Sequence, residues 1–106
     1  MSIPTVTVED LKAWRDERKP HVLLDVRESD EFERCRIEGS VLIPLNELPS
    51  RVAELPKDKL VVVHCHHGGR SARATAYLNE QGYKAQNLAG GIDAWSERID
   101  PSVERY

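Results

Sequence analysis

The chain has 106 residues, 40% hydrophobic and 31% charged, with a formal net charge of −3. That length suits one domain with one modest core, so a single domain over residues 1–106 is expected. The negative balance and the absence of Lys/Arg clusters with interleaved aromatics argue against nucleic acid as a partner. No apolar run is long enough for a membrane span.

Extended and helical patterns alternate along the chain. Thr5-Val6 reads as a short opening strand. Thr7, with Asp10 three residues on, signals the N-cap of a helix carrying Leu11, Trp14 and Arg18 at helical spacing. Trp14 is expected to face the core, and Pro20 to stop the helix. "HVLLDV" predicts a buried parallel strand ending near Asp25. Ser29 is the expected cap of a short helix, "DEFERC". A turn at Gly39 leads to a strand from Val41 to Ile43, stopped by Pro44. Asn46 is the expected cap of a brief helix ending near Leu55.

"KLVVVHC" is the clearest strand, with three consecutive valines. A helix from about Ser71 to Gln81 follows, with Ala74, Tyr77 and Leu78 on one face and Gly82 as its stop. A weaker strand spans Ala85 to Leu88. After a turn at Gly90-Gly91, Ile92, Trp95 and Ile99 mark a last helix, ended by Pro101. Strands alternating with helices predict an α/β fold with a parallel sheet and helices on both faces. In such sheets a site lies beyond the carboxyl ends of the strands, where Asp25 and Cys65 fall.

The two cysteines, Cys35 and Cys65, are too few for a disulfide framework. The first ten residues lack the basic and apolar regions of a signal peptide, so a cytoplasmic location is expected. Cys65 is the second residue of the run "HCHHGGRS". The glycines allow a tight turn with amide N–H groups pointing inward, and the helix that follows aims its positive end at the same point. Arg70 is expected to add a fixed positive charge. All three favour a thiolate. Moving a thiol from about 8.5 to about 6.5 requires about 2.7 kcal/mol. A helix end supplies about 0.3–1 kcal/mol, or about 2 when partly buried. The inward amides and Arg70 must therefore contribute the rest.

His64, His66 and His67 raise the question of a metal. Adjacent residues converge poorly on one tetrahedral ion, and no second ligand cluster is visible in the sequence, so no metal is expected. His66 and His67 are expected on the rim, drawing anions in.

At these residues the chain resembles the rhodanese family of single-domain sulfurtransferases. "LLDVRESDEFE", "IEGSVLIPL", "VVVHCHHGGRSARATAYLNEQGY" and "LAGGIDAW" resemble four family segments in the family's order. The resemblance implies a rhodanese-like, five-stranded parallel sheet with helices on both faces. It implies that Cys65 takes up sulfur as a persulfide. His66, His67, Gly68, Gly69 and Arg70 then match the loop that holds it, with Asp25, Arg27 and Ser71 standing behind the site. No cofactor is implied. The implied partners are a small anionic sulfur donor and an acceptor thiol or sulfur-carrier protein. The ending "ERIDPSVERY" resembles the tail of rhodanese domains fused to adenylating enzymes. One departure stands out: Cys35-Arg36 occupies the place of the family's Gly-His. A Cys in a left-handed helix stop would be strained, and Cys35 becomes a candidate resolving thiol.

Cysteine-dependent phosphatases and arsenate reductases share the Cys-to-Arg frame, with one more residue in the loop. Four residues separate Cys65 from Arg70. The smaller ring of amides suits one sulfur atom better than a tetrahedral phosphate, and no carboxylate is placed to protonate a leaving alkoxide. Three readings remain: a sulfurtransferase acting by double displacement on thiosulfate or a persulfide, a phosphatase or arsenate reductase, and a non-catalytic carrier or regulatory module.

Overall fold

The structure is a computed structural model and describes residues 3–106. Five strands form one parallel sheet in the order β1-β5-β4-β2-β3. They are β1 (Thr5–Val6), β2 (His21–Asp25), β3 (Val41–Leu42), β4 (Leu60–His64) and β5 (Lys84–Leu88). The helices are α1 (Val8–Asp16), α2 (Ser29–Arg34), α3 (Leu48–Arg51), α4 (Gly69–Glu80) and α5 (Gly91–Arg98).

Both faces of the sheet are covered. Val61 and Val63 of β4, with Leu24 and Ala85, pack under Leu48 of α3 and Ala74 and Leu78 of α4. Val62, with Leu23 and Leu88, packs on the other face under Leu11 of α1 and Ile92 and Trp95 of α5. Burial on both faces explains why β2 and β4 read as unbroken apolar runs rather than alternating ones.

Thr7 caps α1 as expected, its hydroxyl accepting from Asp10 N–H at 3.1 Å. The helix then ends at Asp16, short of Pro20. Arg18 turns left-handed at φ +56°, and Lys19 N–H closes on Trp14 O at 2.9 Å. This is a Schellman ending, and it stops the helix before the proline can act. Trp14 sits half-buried on the edge of the layer, with the Lys19 ammonium 4.1 Å from its ring centre, while Leu11 takes the buried position.

Three further boundaries differ from the sequence reading. Ser29 is the first residue of α2. Glu28 is its cap, in a reciprocal capping box with Glu31. Asn46 caps nothing: it lies in a 3-10 turn, and Val52–Glu54 form another after α3. Helix α4 starts at Gly69 rather than Ser71, so Gly69 and Arg70 belong to its first turn. No helix among the described residues is long and apolar enough to cross a membrane.

Candidate active site

Cys65 follows β4 directly and is 2% exposed. Gly68 caps α4 at φ +124°, a conformation that a side chain strains, and its N–H donates to Cys65 Sγ at 3.1 Å. The N–H groups of Ser71 and Arg70, in the first turn of α4, favour the thiolate of the same sulfur. They have no partner within the helix and are free to do so. The Ser71 hydroxyl lies 3.4 Å from the sulfur and 2.6 Å from Asn87 Oδ1. Burial pushes the Cys65 thiol up, but the Ser71 hydroxyl and the N–H groups of Ser71, Gly68 and Arg70 outweigh it and hold the thiol below its ordinary value.

The N-terminus of α5 anchors the start of the loop. Ile92 N–H donates to Cys65 O at 2.9 Å and Asp93 N–H to His66 O at 3.1 Å. The docking needs a glycine at position 91, because a Cβ there would lie 2.5 Å from His66 O and 2.6 Å from Cys65 O. Asn87 adds a brace, its Nδ2 donating to Gly68 O at 3.3 Å. Gly69 is different: a Cβ there would meet nothing within 4 Å.

Arg70 departs from the expected role. Glu31 grips its guanidinium with two bonds, at 2.7 and 3.0 Å. Its backbone reaches the sulfur, but its charge is already matched. Arg70 holds Glu31 at about 2, against burial, with Glu28 N–H and Tyr106 OH assisting. That carboxylate is therefore ionised and has no proton to give at neutral pH.

His66 also differs from a cationic rim. His66 lies between two rings, 4.0 Å from Tyr106 with planes 4° apart and 3.9 Å from His67. Burial and the neighbouring His67 push His66 down, towards the neutral form. The fold adds Asp93 to this pair, bringing three donor atoms within 4.8 Å of one another. Asp93 is already held by Arg105 at 3.0 and 3.1 Å.

Asp25 and Arg27 are fully buried and bonded to each other, at 2.7 Å for Nη2 to Oδ2. Arg27 also donates to Cys35 O at 2.7 Å and to the Tyr106 hydroxyl at 2.8 Å. The pair joins the end of β2 to the end of α2. Cys35 is extended at φ −161°, so its replacement of glycine brings no left-handed strain. Its side chain packs in the layer under α1 and α5, whereas Cys65 packs in the layer under α3 and α4. That separation leaves Cys35 poorly placed as a resolving thiol.

A cavity of about 670 Å³ adjoins the loop along α4. Val26, Leu45, Leu48, Pro49 and Tyr77 wall it, with Arg70 and Arg73 on its helix side.

The chain matches the family model described as "Rhodanese-like domain" over residues 7–98. The chain belongs to the rhodanese-like family. It is 41% identical over 83 residues to a sulfurtransferase of Allochromatium vinosum, covering 77% of this chain and 78% of that protein. It is 36% identical over 105 residues to the probable adenylyltransferase/sulfurtransferase MoeZ of Mycobacterium tuberculosis. That match covers 96% of this chain but only 27% of MoeZ, so the chain spans about a quarter of that relative. The crystal structure of a rhodanese-like domain protein from Staphylococcus aureus superposes with a TM-score of 0.86. It is 31% identical and covers 98% of this chain and 99% of its own.

Within this rhodanese-like frame, the structure brings Cys65, Gly68 and Ser71 together. Sequence reasoning missed Glu31, Asn87, Gly91 and Tyr106. Gly91 had a signal, the Gly-Gly before a helix, which was read only as a turn. The other three had none, because their partners are distant in the chain.

Proposed function

We propose that the protein is a sulfurtransferase that carries sulfane sulfur on Cys65. The observation behind this reading is one nearly buried sulfur that takes the Gly68 N–H at the start of α4, where the first-turn N–H groups of Arg70 and Ser71 also favour its thiolate. The Cys65 thiolate attacks the outer sulfur of thiosulfate or of a persulfide. A new S–S bond forms, the old one breaks, and sulfite or a thiolate leaves with the bonding pair. Cys65 then carries one extra sulfur with a negative charge, stabilised by the same amides and the end of α4. An acceptor thiol, a sulfur-carrier protein or, in an assay, cyanide attacks the terminal sulfur and restores the Cys65 thiolate. The presence of adenylyltransferase/sulfurtransferases among the relatives supports a carrier protein as acceptor.

The phosphatase reading is weaker. The loop is one residue shorter than that chemistry uses, and Glu31, the carboxylate beside Arg70, is held ionised at about 2. Intact mass after incubation with thiosulfate, or with an organic persulfide, tests the proposal. The wild type should gain one sulfur atom and lose it to cyanide, while Cys65→Ser gains nothing. Turnover of p-nitrophenyl phosphate without any sulfur gain would reverse the assignment.

A further inference from the structure

Residues 101–106 run back from α5 across the site rather than away from it. Val103 O accepts from Ser96 Oγ, Arg34 holds Glu104 at 2.9 and 3.1 Å, and Arg105 holds Asp93. At the far end the Tyr106 hydroxyl donates to Glu31 Oε2 at 2.6 Å and accepts from Arg27 Nη1 at 2.8 Å. Its ring lies flat on His66.

These contacts put one side chain behind both ends of the Cys65 loop. At the first end, His66 is clasped between its backbone bond to α5 and the Tyr106 ring. At the second end, Arg70 lies in the first turn of α4, next to the Gly68 cap that bonds the sulfur, and gives its guanidinium to Glu31, which Tyr106 also holds. Asp25, Arg27, Tyr106, Glu31 and Arg70 thus form one continuous polar chain from β2 to α4. Each oxygen of Glu31 is occupied: Oε1 by Arg70 and Glu28 N–H, Oε2 by Arg70 and Tyr106. Burial and Glu31 push the phenol up to about 12, so it remains a donor at neutral pH.

We propose that Tyr106 is a positioning residue for the Cys65 thiol, fixing both ends of the loop whose N–H groups hold the sulfur. It touches neither the sulfur nor a sulfur donor. It acts by keeping the amide ring closed, and so sets how far the thiol lies below its ordinary value. This rests on Cys65 being the reacting group.

The test uses the full chain, with Tyr106→Ala and Tyr106→Phe beside the wild type. The rate of Cys65 alkylation by iodoacetamide is followed against pH, with melting temperature measured in parallel. Tyr106→Ala should move the alkylation midpoint up by about one pH unit. It should also lower kcat/KM for sulfur transfer about tenfold, mainly through kcat. Tyr106→Phe keeps the ring on His66 and loses both hydrogen bonds, so it should recover part of the shift but not all. If the alanine variant does not fold, the phenylalanine midpoint decides alone. Superimposable alkylation profiles overturn the proposal, even if melting temperatures fall, because a purely structural anchor has that signature. The sulfurtransferase reading fails separately, by the absence of a sulfur mass gain in the wild type, a result that leaves the alkylation comparison intact.

Discussion

Glu31 grips Arg70 with both carboxylate oxygens, at 2.7 and 3.0 Å, so the charge of the arginine beside the thiol is largely matched before it reaches the sulfur. What depresses the thiol is hydrogen bonding, from the Ser71 hydroxyl and the amides of Ser71, Gly68 and Arg70, more than a neighbouring cation. A site built this way tolerates a persulfide without demanding a strongly anionic donor. Glu31→Gln should release Arg70 towards the cavity mouth and lower KM for thiosulfate about threefold, the worth of one partly exposed charge contact. Arg70→Ala on that background should abolish the gain. An unchanged KM in Glu31→Gln, measured by sulfite release, would mean that the guanidinium cannot swing free.

The glycines separate into two kinds, and substitution should separate them too. Gly69→Ala meets open space at a helical position, so activity should be kept and stability should rise by about 0.5 kcal/mol. Gly68→Ala forces an L residue to φ +124° and should lower kcat/KM about tenfold. Gly91→Ala drives a Cβ into two loop carbonyls and should cost about 100-fold, since a shift of about 1 Å at the amide ring is enough. Equal losses at positions 68, 69 and 91, by steady-state kinetics and urea melts, would contradict this division.

The layered sheet was legible because its physics is local. Three valines in β4, the glycine stops and the alternation of patterns need no partner to be read. The position of Cys65 at a strand end is equally local. The network behind it is not: Glu31 and Arg70 are 39 residues apart, and Glu31 and Tyr106 are 75 apart. Nothing at position 31 distinguishes it from its acidic neighbours Asp30 and Glu33 until the chain is folded. The start of α4 was misjudged for a different reason. Glycine is a poor helix former, but first-turn N–H groups need no helical partner, and here they are used on the sulfur. The cap of α2 moved to Glu28 because a reciprocal bond with Glu31 is available to it and not to Ser29.

Arg18 gives a stability prediction independent of the site. Its φ of +56° completes the α1 ending, with Arg18 N–H on Arg15 O at 3.2 Å and Lys19 N–H on Trp14 O at 2.9 Å. A glycine there avoids the left-handed penalty but has more freedom to lose on folding. Arg18→Gly should therefore gain about 0.5–1 kcal/mol, or about 3–5 °C in Tm, with sulfur transfer unchanged. A loss of stability in thermal melts would show that the Arg18 side chain outweighs its backbone strain.

His64 makes the fold sensitive to acid. It is fully buried next to Cys65, and neither ring nitrogen has a hydrogen-bond partner. Burial drives it from 6.5 down to about 4. Asp25, 3.9 Å away, favours the charged form, and Arg27 opposes it. The unfolded chain therefore binds a proton between pH 6.5 and about 4 that the folded chain refuses. Stability from this residue is complete above pH 6.5 and is lost as pH falls through that window, by about 3 kcal/mol. His66 titrates in the same direction and adds a smaller slope. Glu31, lowered from 4.5 to about 2, begins to contribute only as pH falls below 4.5. His64→Met keeps much of the volume and removes two unpartnered nitrogens, so it should be at least as stable at pH 7. Urea unfolding of both proteins at pH 7, 6 and 5 should show a clear decline in the wild type and a flatter one in the variant. Parallel declines would place the acid sensitivity elsewhere.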